Sequence, residues 1–334
     1  MGTVMQGAVN ATKCVSLRRN EPVLILAEKA NIRVGDALRR ACEKKTKRID
    51  FFVMEQFGKR PLRFLPEELR EAAKRCKVAF STVGSSRKGK LNERFTVRKP
   101  LTDLLMKHNV RFAAMVGVDE ECMKQGMCVD YKKIQLACKA LYSVVKNAKQ
   151  ITVSSPHGTA LVVDFSPKLK WLVADGNIEP GTWSNLPDGE VFTCPANVNG
   201  IAVINGSLGD VFSRKYKSLE KTPVRWHIVD SRIVAVECHQ NRKLEAEFKR
   251  YIKLDRNSNR IGEFAVGANY GVKKIIGNLL QDEKIVGVHM AAGYPYPELT
   301  GAKWNSKVHC DGVITKPTVF VDGMLLMDNG KFVF

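Results

Sequence analysis

Between Val23 and residue 150, short apolar runs alternate with stretches of helical period, and no other feature of the chain constrains its fold as tightly. Val23–Ala27 reads VLILA, a run of buried-strand type, and Asp36–Cys42 behind it repeats at helical spacing. Ile49–Met54 (IDFFVM) is the next strand candidate. A helix start follows at Pro66, with Glu67 and Glu68 in the first turn and Lys74 later. That order suits a helix dipole, which favours acids at its N-terminus and bases at its C-terminus. Val78–Val83 and Phe112–Val116 add two strands, and Tyr131–Ala148 sets Ile134, Cys138, Leu141 and Val145 on one stripe of a helix. Strands alternating with helices imply βαβ units, so residues 1–150 are expected to form an α/β domain with a mostly parallel sheet.

Past residue 150 the texture changes. Ile151–Ser155 and Thr159–Phe165 flank Pro156-His-Gly158, a hairpin signal. Strand candidates then recur at Trp171–Ala174, Gly189–Thr193, Gly200–Val203, Arg225–Val229, Arg232–Glu237, Val286–His289, Val308–Ile314, Thr318–Val321 and Met324–Met327. Helical stretches are fewer, at Leu244–Tyr251 and Val272–Leu280. Residues 151–334 are therefore expected to form a larger α+β domain rich in antiparallel strands. No GxGxxG follows the first strand and no Walker A sequence occurs, so the α/β half is not read as a nucleotide site.

Charge is lopsided. The chain of 334 residues carries a formal charge of +20, and residues 1–150 hold 32 of its 54 basic residues but only 15 of its 34 acidic ones. Runs such as Glu43–Arg48 and Ser86–Lys90 supply the excess. No zinc finger, RNP aromatic motif or GXXG clamp accompanies them, so they read as solvated faces and not as a nucleic-acid surface. The nine cysteines include no C-x-x-C pair and read as small buried hydrophobes. No window holds eighteen consecutive apolar residues and the first twenty lack a signal-peptide core, so a soluble cytoplasmic protein with no membrane partner is expected.

Residues fit for chemistry gather in the second half. Glu190 stands at a turn-to-strand junction in NLPDGEVFTCP, and Glu263 lies between glycines in IGEFAVGANYGV, on backbone that can approach another group closely. His289 ends the apolar run IVGVH. His309 and Asp311 are two apart, so in a strand both face one side. Two Glu, two His and one Asp make a mixed nitrogen and oxygen donor set suited to Zn²⁺, Co²⁺ or Mn²⁺, and five donors make a two-metal site feasible. His108, His157, His227 and His239 are left as ordinary histidines, although His157 could line a hairpin beside the site.

Together these segments resemble the aminopeptidase T / aminopeptidase S family of thermophilic metallopeptidases, sometimes labelled leucyl aminopeptidases. The family's ordered markers N-L-P-x-G-E-V-F-T-x-P, G-E-F-x-x-G-x-N, H-x-A-x-G-x-x-Y and H-x-D read here as NLPDGEVFTCP, GEFAVGAN, HMAAGYPY and HCD. The resemblance covers roughly residues 150–334. It implies that Glu190, Glu263, His289, His309 and Asp311 are metal ligands for two divalent ions and that Tyr296 is the active-site tyrosine. It further implies two domains, peptide substrates, aminopeptidase activity and a homodimer. On that reading Glu263 or Glu190 accepts the proton of the attacking water, and Tyr296 donates to the developing oxyanion. Only nineteen residues separate His289 from His309, fewer than is usual in the family, so the loop between them is expected to shape the specificity pocket or the dimer lid.

Two other classes fit parts of the pattern. The 2,5-dihydroxypyridine dioxygenases resemble the same family and hold one Fe(II) by two His and one Asp, a set that His289, His309 and Asp311 supply. A metal-binding relative without turnover, its basic half docking an acidic partner, is the third. The two glutamates and the tyrosine favour the hydrolase.

Overall fold

The computed structural model describes residues 2–84 and 86–333. It is a mixed α/β fold with, among the described residues, one five-stranded parallel sheet and antiparallel sheets of eight, five and two strands. Contacts group into two units. One comprises the chain up to Lys132 together with Gly176–Asp188, and the other comprises Lys133–Asp175 and the chain from Gly189 onward.

In the first unit, the strands Val23–Ala27, Ile49–Val53, Val78–Ser81, Arg111–Ala114 and Trp183–Asn185 all run parallel. Val23–Ala27 sits inside the sheet, between Val78–Ser81 and Ile49–Val53, and every residue in it is buried. This explains why it reads as an unbroken apolar run and not as an alternation. The helix Glu67–Arg75 starts after Pro66, with Glu67 and Glu68 in its first turn and Lys74 and Arg75 in its last. Its buried Leu69, Ala72 and Ala73 join Leu24, Leu26, Leu101, Leu105 and Phe112 in one apolar core. Several elements escape the sequence pattern, the helices Lys99–Lys107 and Glu120–Lys124 among them. The helix Val4–Cys14 is capped by Thr3, whose hydroxyl accepts from Gln6 N at 3.1 Å. Trp183–Asn185 is only three residues long, and Trp183 is half exposed, so no periodicity marks it.

The second unit holds an eight-stranded sheet and a five-stranded sheet. The first contains the hairpin of Gln150–Ser154 and Ala160–Asp164, turning through Gly158 at φ +95°. The second runs His309–Ile314, Gly287–Gly293, Ile261–Gly267, Glu190–Thr193, Leu172–Ala174, each strand antiparallel to the next. Ile261–Gly267, which the glycines disguise as a loop, is its central strand and buried throughout. The glycines mark close approach: a Cβ on Gly262 would lie 2.1 Å from Gly293 O, and one on Gly267 2.0 Å from Ile285 O.

The stretch Val272–Leu280 is not a helix, contrary to its periodicity. Only Leu279–Asp282 is helical. The Asp282 carboxylate accepts from Ile276 N at 3.0 Å and Gly277 N at 2.8 Å, engaging amides that a helix would need. Gly277 adopts φ +78°. A tertiary interaction here outweighs a weak local preference. His289 does not end its strand either, because Gly287–Gly293 continues past it. Eight cysteines are buried and Cys128 is half-buried. Among the described residues, no helix is long and apolar enough to cross a membrane.

Candidate metal centre

Strand parity and register bring the scattered residues to one face. Directly opposed residues in antiparallel strands point the same way, as do residues two apart. Ala291 stands opposite both Glu263 and Asp311; Ala265 stands opposite both His289 and Phe192; Gly293 faces His309 and Gly267 faces Glu190. All five sequence candidates therefore project from one face, and the residues between them are Gly and Ala, which leave room. The other face carries Val191, Phe264, Val266, Val288, Met290 and Ile314, all buried.

The donors converge. His289 Nε2 lies 3.2 Å from Glu263 Oε1 and 3.4 Å from Glu190 Oε2. His309 Nε2 lies 3.1 Å from Asp311 Oδ1 and 3.6 Å from Glu263 Oε2. The two oxygens of Glu263 thus address different imidazoles. His309 Nδ1 donates to the Tyr294 carbonyl at 2.9 Å, which turns Nε2 toward the carboxylates. Glu190, Glu263, His289 and Asp311 are all buried, and His309 is half-buried.

Burial disfavours a charged imidazole, yet the hydrogen bond His289 donates to Glu263 and the charges of Glu190, Glu263 and Glu283 push His289 up to about 9. Burial works against His309 as well, and Asp311 with Glu263 raises it to about 10. Burial alone would lift Asp311, but His309 beside it holds the carboxyl down at about 2. Burial, with the surrounding carboxylates, raises Tyr296 well above the ordinary phenol value, so its hydroxyl keeps its proton.

Tyr296 occupies the left-handed region at φ +50° and ψ +59°, an uncommon conformation for a residue with a side chain. Its ring packs edge-on against His309 with centroids 5.0 Å apart, and against Phe192 at 6.0 Å. Sequence reading missed two neighbours, Glu283 and Lys284. Glu283 forms a donor group with His289 and Asp311, and Lys284 contacts both Glu190 and Glu283. The adjacent charges Asp282-Glu-Lys284 give no distinctive sequence signal, since such runs are ordinary on a surface. His157 is exposed in its hairpin turn and belongs to no donor group; His227 and His239 pair locally with Glu237.

Do these residues fit a divalent ion? Glu190–Glu263–His289 and Glu263–His309–Asp311 each offer donor atoms within 4.8 Å of one another, with Glu263 common to both. Glu190 Oε2 and His289 Nδ1 are buried with no hydrogen-bond partner among the described residues. Buried polar atoms are rarely left so, and orphaned ones mark a partner of another kind. Carboxylates and imidazoles without thiolate suit divalent cations of hard or borderline character.

A family model for thermophilic metalloproteases (M29) matches residues 129–334, a span that contains all four motif segments. No curated protein matches the chain significantly. Among solved structures, the AmpT of Thermus thermophilus is similar at a TM-score of 0.71 and 17% identity, over 99% of this chain and 99% of that one. The 2,5-dihydroxypyridine dioxygenase of Pseudomonas putida KT2440 is similar at a TM-score of 0.71 and 15% identity, over 99% of this chain and 96% of that one. At such identities the two structures establish the shared fold, and the family follows from the sequence match over more than half of the chain: this protein belongs to the thermophilic metalloprotease family M29, that of aminopeptidases T and S.

Proposed function

We propose that the chain is a metal-dependent aminopeptidase that hydrolyses N-terminal residues from peptides. The observation that carries the reading is Glu263, whose two oxygens face two imidazoles and which belongs to two donor groups at once. Glu190, Glu263 and His289 would hold one divalent ion, and Glu263, His309 and Asp311 a second. Bound there, such ions supply Lewis acidity toward a water and a peptide carbonyl.

The chain's own groups do the rest. A carboxylate of the cluster, Glu263 or Glu190, takes the proton of the attacking water and returns it to the leaving amine. The Tyr296 hydroxyl, held protonated, donates to the carbonyl oxygen as charge develops; removing such a donor typically costs about 3–4 kcal/mol of transition-state stabilisation. Carboxylates crowded on one face attract the free α-ammonium of a peptide, which restricts cleavage to the N-terminus. Phe192, Tyr294 and Tyr296 supply an aromatic wall next to His309.

His289, His309 and Asp311 alone would also suit one Fe(II) in a ring-cleaving dioxygenase, whose triad needs open positions for substrate and oxygen. Glu263 lies against both imidazoles and Glu190 against one, carboxylates that a two-His, one-Asp set would not require, and this favours the hydrolase. Elemental analysis of the purified protein, paired with amino-acid release from a peptide mixture, separates the two. Two zinc, cobalt or manganese ions per chain with released amino acids are expected. One iron with oxygen uptake, or no released amino acid, would refute the aminopeptidase.

A further inference from the structure

We infer that Lys284 is a positioning residue of the metal centre, one that makes Glu190 a ligand through a single oxygen. The inference rests on the metal-centre reading above and adds to it a residue outside the five ligands. Lysine is almost never fully buried unless it is paired. Lys284 is 1% exposed, and its Nζ lies 2.5 Å from Glu190 Oε1 and 2.8 Å from Glu283 Oε1.

Its backbone is anchored on both sides. Lys284 N donates to Gln281 O at 2.9 Å, and its carbonyl accepts from Asn269 N at 2.9 Å. The ammonium is therefore delivered from a fixed turn, three residues ahead of the strand that carries His289.

The consequence shows in Glu190. A carboxylate with both oxygens available can chelate one ion through both, bridge two ions, or swing between these states. Here Oε1 is engaged by the ammonium, while Oε2 is buried, has no hydrogen-bond partner among the described residues and lies 3.4 Å from His289 Nε2. Lys284 takes one oxygen and aims the other at the ligand cluster. Glu263 turns its two oxygens to the two imidazoles, at 3.2 Å from His289 Nε2 and 3.6 Å from His309 Nε2. The two glutamates thus divide the work, Glu190 as a one-oxygen ligand and Glu263 as the shared one. Outer groups that hold a ligand in this way typically change metal affinity 10- to 100-fold when replaced.

The test is a double-mutant cycle on the full chain, read by calorimetric titration of the metal-free protein with Co²⁺ and by the absorption spectrum of the Co²⁺-loaded form. Lys284→Met keeps the length of the side chain and removes its charge. It is expected to weaken one Co²⁺ site about 10- to 100-fold and to shift the spectrum, with Lys284→Arg recovering part of the loss. Because Lys284 acts through Glu190, the Lys284→Met/Glu190→Gln double variant should bind no more weakly than Glu190→Gln alone. Should Lys284→Met leave Glu190 unpaired and fail to fold, the double variant removes that charge and still yields the comparison. Losses that add, a Met variant that binds like wild type, or an Arg variant no better than Met would overturn the assignment. No peptide enters these measurements. A wild-type chain that binds no Co²⁺ sinks the metal-centre reading itself, whereas two bound ions without coupling between Lys284 and Glu190 sink only the role of Lys284.

Discussion

Arg60 and Lys284 are both cations sunk among carboxylates, one in each unit, and their surroundings differ in kind. Arg60 pairs with Glu28, Glu55 and Glu93 and donates to Gly84 O at 2.8 Å. Backbone amides satisfy those carboxylates in turn: Leu62 N donates to Glu93 at 2.7 Å, Gly84 N to Glu28 at 2.9 Å and Lys29 N to Glu55 at 3.0 Å. Around Lys284 the carboxylates face imidazoles and one another, and Glu190 Oε2 and His289 Nδ1 find no partner among the described residues. Both clusters set one cation among several carboxylates, although the first is half-buried and holds no imidazole. The difference is whether the lone pairs are already engaged: a closed network braces the chain, and an open one is prepared for a ligand.

Four measurements would break or sharpen this contrast. The largest effect is expected in the open cluster, where Glu263→Gln or His309→Ala should abolish metal-dependent peptide hydrolysis, a drop of about a thousandfold or more if several kcal/mol of transition-state stabilisation is lost. The metal-free melting temperature should not fall, and wild-type turnover in either variant would contradict the proposed ligands. In the closed cluster, Arg60→Met strands three carboxylates and should destabilise the fold by about 3 kcal/mol in chemical denaturation, while turnover per folded molecule stays at the wild-type level. A loss of turnover without a loss of stability would reverse the assignment of the two clusters.

Divalent ions supply the third test. A ligand bound only by the native state at about a hundred times its Kd stabilises by about 2.7 kcal/mol, so a saturating divalent ion should raise the melting temperature and a chelator should reverse the rise. The same addition to Glu263→Gln should do much less.

The smallest effect concerns another closed pair in the first unit. Arg111 donates to Glu21 at 2.6 Å and to the carbonyls of Val15 and Ser16 at 2.8 Å. Burial would raise Glu21, but the Arg111 hydrogen bond and the Arg18 amide bring it below its ordinary value. A carboxylate lowered on folding stabilises the native state above its unfolded pKa and loses that contribution as pH falls through the folded one. Glu21→Gln should therefore narrow the gap in melting temperature between pH 7 and pH 3, by about 2 °C for about 1 kcal/mol in a chain of this size. An unchanged gap would show that this pair does not report on acid stability.

The strands Val23–Ala27, Arg232–Glu237 and Thr318–Val321 coincide with their sequence patterns, because each combines apolar or β-branched residues with clear turn signals on either side. Trp183–Asn185 carries no such signal; it joins the first sheet through its pairing with Arg111–Ala114. Val272–Leu280 has a helical pattern, and the Asp282 carboxylate overrides it. Glu190, Glu263, His289, His309, Asp311 and Tyr296 could be singled out because each sits in a motif with its own local grammar. Glu283 and Lys284 could not, since an acid beside a base in sequence is ordinary on any surface. Burial alone makes the pair unusual, and burial is not written in a charged dipeptide.

Local order was thus settled by composition and period: which runs become strands, where a hairpin turns, which donors the chain has to offer. Those properties arise from near neighbours, whose sterics and burial preferences act within a few residues. Which donors meet was settled by strand pairing, because residues from 190 to 311 come together only through the register of four antiparallel strands, and a slip of one position would turn a whole strand's donors to the opposite face.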